Sequence, residues 1–166
     1  PDADRLAIVD ETGRYIGEEF TLVLAATRWL EQHPGTSVAT NLSTSRMIDD
    51  VASSLGCNTF RSAVGEANVA EAMKEHHCVI GGEGNGGVIF PQVCWVRDSL
   101  SAMVLTLDLM CDRSVTISTI VNDLPSYAMI KRAINLKDLG GTESVATEIE
   151  RLKRTYDSKQ LDDRDG

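Results

Sequence analysis

From position 18 to position 32 apolar residues recur every three or four places: Phe20, Leu22, Val23, Leu24, Trp29 and Leu30. With Glu18 and Glu19 in the first turn, the spacing predicts an amphipathic helix over 18–32, ended by Pro34-Gly35. Short runs around it read as strands: Leu6–Val9, Val38-Ala39-Thr40, Asn58–Arg61, Cys78-Val79-Ile80 and Val88-Ile89-Phe90. Two helices alternate with them, one capped by Ser43-Thr44-Ser45 and running to about Leu55, one opened by Gly65-Glu66 and running to about His76. Arg97–Met110 predicts a long apolar helix with Met103, Leu105, Leu107, Leu109 and Met110 in the core, and Thr116–Asn122 a short one. This alternation predicts an α/β fold, a layered mixed sheet with helices on both faces. Ligands of such sheets bind beyond the carboxyl ends of the strands. The Ser43–Ser45 turn, the Gly65 turn and the glycine-rich stretch after Ile80 are expected there.

Leu124-Pro125-Ser126 punctuates the chain. Beyond it, Tyr127–Ala133 reads as a strand and Glu143–Tyr156 as a charged helix capped by Thr142, an incomplete C-terminal strand–helix extension. Asp157–Gly166 is polar and is expected to fray.

The 166 residues suffice for one compact domain with a core, and the formal net charge of −9 argues against nucleic acid and anionic membrane surfaces as partners. No apolar run approaches the roughly 18 residues of a membrane span, and no signal peptide is visible. Cys57, Cys78, Cys94 and Cys111 lack metal or redox spacing; three lie in apolar surroundings and read as buried free thiols, which suits a reducing cytoplasm. His33, His76 and His77 fall at helix ends and read as solvated.

The chemistry concentrates in Ile80–Pro91, where Gly81, Gly82, Gly84, Gly86 and Gly87 surround Glu83 and Asn85 at the tip of a loop. Glycine lets a backbone turn tightly and approach a ligand. A carboxylate that accepts and a carboxamide that does both suit the hydroxyls of a sugar. Gly82, Gly84 and Gly87 fit G-x-G-x-x-G, but Val88-Ile89-Phe90-Pro91 follows where a dinucleotide fingerprint needs a helix. A tight hairpin with no ligand is the plain alternative. At the other end, Asp2 and Asp4 alternate on a short segment, as hard divalent cations prefer, and Arg5 could hold a phosphate. The turn glycine and distal Glu of an EF-hand are missing, and an ordinary acidic surface loop remains open.

Taken in order, Asp2-Ala3-Asp4-Arg5, Leu6–Gly13, Gly17–Phe20, Thr44–Met47, Val64–Glu66 and Gly81–Gly87 resemble the α-D-phosphohexomutase family, in register from residue 2 to about residue 98. Gly82–Gly87 and Val64–Val69 are most similar to its phosphoglucosamine mutase and phosphomannomutase branch. The resemblance implies a four-domain enzyme that interconverts hexose or hexosamine 6-phosphate and 1-phosphate through a phosphoserine and a bisphosphate intermediate. Residues 1–16 would end the metal-loop domain, 17–124 would be the sugar-binding third domain, and 125–166 would begin the phosphate-binding domain. Asp2 and Asp4 would be ligands of Mg²⁺, and Arg5 the catalytic arginine beside the reacting phosphate. Glu83, Gly84, Asn85 and Gly86 would bind the sugar, and Glu66 would be a sugar contact or a helix-terminal acid. The partners would be the phosphosugar and the remaining domains, with no nucleic acid and no membrane. The chain alone would be inactive, since the first metal-loop aspartate, the phosphoserine and the phosphate grip would lie outside it. Pro1, Ala3, Asn85 and Gly87 depart from common family residues and leave the sugar open. A non-catalytic sugar-phosphate module and a Mg²⁺-dependent phosphatase are the alternatives.

Overall fold

The computed structural model describes residues 2–130 and 142–155. Residues 1–127 form one compact unit and 128–166 a second. In the first, the elements run α1 (Glu19–Gln32), β1 (Ser37–Asn41), α2 (Met47–Ser54), β2 (Asn58–Ser62), α3 (Glu66–Glu75), β3 (Ile80–Glu83), β4 (Gly87–Ile89), α4 (Ser99–Arg113) and α5 (Ile117–Asp123). The second contains α6 (Thr142–Thr155), a charged helix in which Arg151 pairs with Glu148.

The sheet order is β2-β1-β3-β4, with β1 parallel to β2 and β3, and β4 antiparallel to β3. This is the mixed α/β sheet expected from the alternation. Successive residues face opposite sides. Val38, Ile80 and Val88 pack with Leu22, Val23, Ile48 and Leu105, while Ala39 and Ile89 pack with Val69 and Met73 of α3. A further cluster joins Leu24 of α1 to Leu109, Ile117 and Ile120.

Several expectations need correction. Cys78 and Val79 precede β3, which starts at Ile80 and runs through Gly81 and Gly82. These two glycines are packing residues rather than loop residues. A Cβ on Gly81 would lie 2.4 Å from Met73 Sδ and 2.9 Å from Ala39 O; on Gly82 it would lie 2.3 Å from Gly87 O. Ser43–Ser45 do not form the cap immediately before α2: that position is Arg46, without a side-chain cap, though Ser45 Oγ accepts from Met47 N at 3.3 Å. Leu6–Val9 is not a ladder strand but part of an arm. It pairs at isolated positions, Arg5 with Gly87 and Val9 with Tyr15. Of the α4 residues expected in the core, Leu105 and Leu109 are buried but Met103 and Leu107 are exposed. A 3.6-residue period turns them outward when Ala102, Leu105, Thr106 and Leu109 face in. Cys57 and Cys78 are buried free thiols, Cys94 is half-buried and Cys111 exposed, so two rather than three match the reading. Burial pushes the Cys78 thiol up to about 12. His33 and His76 are not simply solvated, since they stack on Trp29 and Phe60. Tyr127–Ile130 has no regular structure; residues 131–133 and 156–166 lie outside the described residues.

The arm turns on Asp10, which accepts from Thr12 N, Thr12 Oγ1, Arg14 N and Arg14 Nε at 3.0, 2.6, 3.0 and 2.9 Å. These bonds, the Thr12 hydroxyl first, hold its carboxyl at about 2. Because the folded value lies below the ordinary 3.8, the stabilisation is complete above about 4 and is lost as pH falls toward 2. Asp10→Asn should therefore flatten the loss of stability between pH 5 and 2, checked by urea melts across that range. Gly82→Ala should lower stability by about 2 kcal/mol with an unchanged m-value, because its methyl group meets strand backbone that cannot move aside.

Candidate functional site

The carboxyl ends of β1, β2 and β3 gather Asn41, Ser62 and Glu83 at one edge of the sheet. Glu83 is not at the tip of an open loop. It is the last residue of β3 and only 3% exposed. A buried carboxylate needs partners, and Glu83 has three. Asn41 Nδ2 donates to Oε1 at 2.7 Å, while Arg97 Nη1 and Asn85 Nδ2 donate to Oε2 at 2.8 and 3.2 Å. Asn85 Oδ1 in turn accepts from Gly87 N at 3.2 Å, which closes the turn between β3 and β4.

Beneath the turn, Thr44 replaces its expected capping role with a buried one. Its hydroxyl accepts from Gly84 N at 2.9 Å and donates to Asn41 Oδ1 at 2.8 Å. The Glu19 carboxylate lies against Gly84, 2.3 Å from where a Cβ would be, and accepts from Ser45 N at 2.9 Å. Arg61 shapes the 41–46 loop from the side. Its guanidinium donates to Asn41 O, Thr44 O and Ser45 O at 3.1, 2.8 and 3.0 Å and pairs with Asp49. Gly86, at φ +90°, takes the left-handed backbone open to glycine, and its carbonyl accepts from Leu6 N at 3.0 Å.

The arm therefore reaches the same edge. Arg5 is exposed, its backbone paired with Gly87 and its Cβ beside Gly86. Asp4 Oδ2 meets Arg97 Nη2 at 2.5 Å. Asp2 is exposed; a backbone hydrogen bond, and then one with Asp4, hold its carboxyl below its ordinary value. Glu66 opens α3 and accepts from Arg97 N at 2.6 Å. Glu66, Glu83, Asn85, Gly84, Gly86, Asp4 and Arg5 are thus brought to one edge.

Asp2 and Asp4 supply the hard oxygens that magnesium prefers. As they stand they do not form its shell: Asp4 is committed to Arg97, and among the described residues no three His, Cys, Asp or Glu side chains gather as a metal site. Sequence reasoning missed Arg97, Asn41 and Glu19, and it set the Ser43–Ser45 turn at this end of the sheet without giving Thr44 a role there. The signal available for Asn41 was a polar residue ending a buried strand; Arg97 had the weaker one of a charge in an otherwise apolar stretch before a helix cap, Asp98.

Asn41→Asp should be sharply destabilising, by about 2–3 kcal/mol at neutral pH, since it turns the donor to Glu83 into a second carboxylate. Two facing carboxylates share a proton, so one carboxyl is raised in the folded state and part of the loss should return as pH falls toward 5. Denaturant titrations at both pH values check this.

Residues 17–127 match the family described as phosphoglucomutase/phosphomannomutase, alpha/beta/alpha domain III. A phosphoglucomutase/phosphomannomutase of Thermococcus kodakarensis is 32% identical over 167 residues, 99% of this chain and 36% of the relative. A Methanopyrus kandleri protein, named "Probable phosphoglucosamine mutase", is 32% identical over 94% of this chain and 34% of its own length. The chain thus spans about a third of the curated relatives it matches. A phosphoglucomutase/phosphomannomutase family protein of Burkholderia thailandensis superposes with a TM-score of 0.64 at 25% identity, over 76% of this chain and 28% of that one. N-acetylphosphoglucosamine mutase of Aspergillus fumigatus, solved with GlcNAc-6P and magnesium, shares the fold at a TM-score of 0.59 and 15% identity, over 94% and 40%. With the domain III match covering most of its length, the chain belongs to the phosphoglucomutase/phosphomannomutase family of α-D-phosphohexomutases.

Proposed function

We propose that this chain supplies sugar recognition in a phosphohexomutase that interconverts hexose or hexosamine 6-phosphate and 1-phosphate through a phosphoserine and a bisphosphate. Residues 17–124 are the sugar-binding domain in this reading, 1–16 belong to the metal-loop domain and 125–166 to the phosphate-binding domain. The observation that carries it is the buried Glu83 carboxylate, held by Asn41, Asn85 and Arg97 at the carboxyl end of a parallel strand. A carboxylate has about four acceptor sites, and three are in use here. Of its partners Asn85, at 3.2 Å and half-buried, is the most readily displaced. A sugar hydroxyl that takes the place of the Asn85 amide would donate to Glu83, while Asn85 turns to a neighbouring hydroxyl. Gly84 and Gly86 form the turn that carries Asn85 beside Glu83, and Glu66 borders the same edge.

Arg5, exposed beside Gly86 and Gly87, would meet the phosphate being transferred and stabilise its charge. Magnesium, present with the Aspergillus enzyme, would meet Asp2 and Asp4; as Lewis acid it would neutralise phosphoryl charge. Among the described residues, Asp2 and Asp4 alone do not complete an octahedral shell. The cellular site of action in this reading is the cytoplasm. Among the described residues no helix is long and apolar enough to cross a membrane.

The test is the full-length protein assayed with glucosamine, glucose and mannose 6-phosphates. Glu83→Gln should lower kcat/KM by roughly ten- to a hundred-fold, the equivalent of about 1.5–3 kcal/mol for a charge-assisted hydrogen bond. Stability should fall as well, because the Arg97 and Asn41 donors are left facing a neutral amide. Unchanged kcat/KM would remove the loop from the sugar site.

A further inference from the structure

We propose that Arg97 is a positioning residue that sets the Glu83 carboxylate for the sugar and ties it to the Asp4 segment, an inference that rests on the sugar-site reading of Glu83. Arg97 belongs to none of the segments it joins. Its backbone is fixed from two sides: it pairs with Ile89 of β4, and the next residue, Asp98, donates to Val88 O at 2.8 Å and caps α4. Its stem crosses Gly87, where a Cβ would lie 2.2 Å from Arg97 Cδ. Position 87 therefore leaves the corridor through which the side chain reaches the site.

The guanidinium then meets three carboxylates from three parts of the chain. Nη1 donates to Glu83 at 2.8 Å, Nη2 forms an ion pair with Asp4 at 2.5 Å, and Nε lies 3.4 Å from Glu66 Oε2. That last contact is an ion pair without hydrogen-bond alignment, since Nε is buried and has no hydrogen-bond partner. The Arg97 and Glu83 side chains are 14% and 4% exposed, so little water screens this pair. One cation among three anions decides the geometry. Without it Glu83 would be a buried charge near two others, held by Asn41 and Asn85 alone, and Oε2 would lose its strongest donor. A lysine could satisfy one carboxylate as a point charge, whereas the planar fork presents separate donors to Glu83 and Asp4 in fixed directions. Substrate contact is made by Glu83, and Arg97 acts through it.

This role predicts a kinetic pattern that a purely structural role does not. A destabilised but correctly built enzyme has fewer active molecules: its apparent kcat falls and KM stays. A misplaced sugar-binding carboxylate raises KM. In the full-length protein Arg97→Gln should raise KM for the sugar phosphate by about ten-fold and leave kcat within about two-fold. The Glu83→Gln, Arg97→Gln double variant should be within about three-fold of the worse single variant, because both remove one interaction. An unchanged KM for Arg97→Gln, with KM raised in Glu83→Gln, overturns the inference and leaves the sugar-site reading intact; so do multiplicative effects in the double variant. An unchanged kcat/KM in Glu83→Gln removes the sugar-site reading and the inference together. Where Arg97→Gln does not fold, Arg97→Lys decides, since it keeps the charge and loses the fork: KM raised about three-fold or more supports the role, and a wild-type KM overturns it.

Discussion

Glu83 is a charge buried at the end of a strand, and much of the local structure follows from the need to satisfy it. An ionised carboxylate taken out of water costs several kcal/mol unless it is paired and hydrogen-bonded. Asn41 comes from β1, Asn85 from the turn and Arg97 from the segment before α4, so satisfying one side chain draws three separate stretches of chain to one point. Each partner is in turn constrained. Asn41 is held by Thr44, which also takes the Gly84 amide, and Arg97 reaches in over Gly87, where a Cβ would lie 2.2 Å from its Cδ. The edge of the sheet is rigid where a ligand would need it to be, because the burial of Glu83 leaves few alternative arrangements of acceptable energy.

How much of this the sequence discloses depends on whether a residue's role is local. The α1 helix is legible in the recurrence of Leu22, Val23 and Leu24 with Trp29 and Leu30, and its observed range, Glu19–Gln32, begins one residue after the expected one. The candidate site residues that lie in special local chemistry stand out in the sequence: Glu83 and Asn85 among glycines, Asp4 and Arg5 in an alternating charged run. What is lost is what long-range packing decides. Gly81 and Gly82 carry no side chain to reveal a period of two, so a strand pressed between Met73 and Leu22 reads as loop. Arg97 is one charge between Val96 and Asp98, and its importance comes from residues at positions 4, 66 and 83 that only the fold brings near. Met103 and Leu107 fail for the opposite reason: a helix apolar on most sides gives no signal of which side faces in.

The same network bears on which part of a phosphosugar this edge can hold. Asp4, Glu66 and Glu83 share a single arginine, so the surroundings of the turn carry more negative than positive charge. Such a field is unfavourable for a phosphate and favourable for hydroxyl donors. Arg5 is exposed at this edge, where its charge helps lower the Asp2 carboxyl, and it stands on the arm rather than beside Glu83. In the proposed reading this separates the two ends of the substrate. The ring would lie against Glu83 and Asn85, where acceptors are held in place, and the phosphate would lie toward Arg5. A mutase must accept its substrate in two orientations that exchange the 1 and 6 positions. A rigid acceptor that reads ring hydroxyls, set apart from the cations that grip phosphate, meets that requirement without having to rebuild itself between the two half-reactions. A site in which one flexible group served both ends would have to be reorganised at each reversal, at a cost in entropy that Arg97 and Asn41 avoid by fixing Glu83 beforehand.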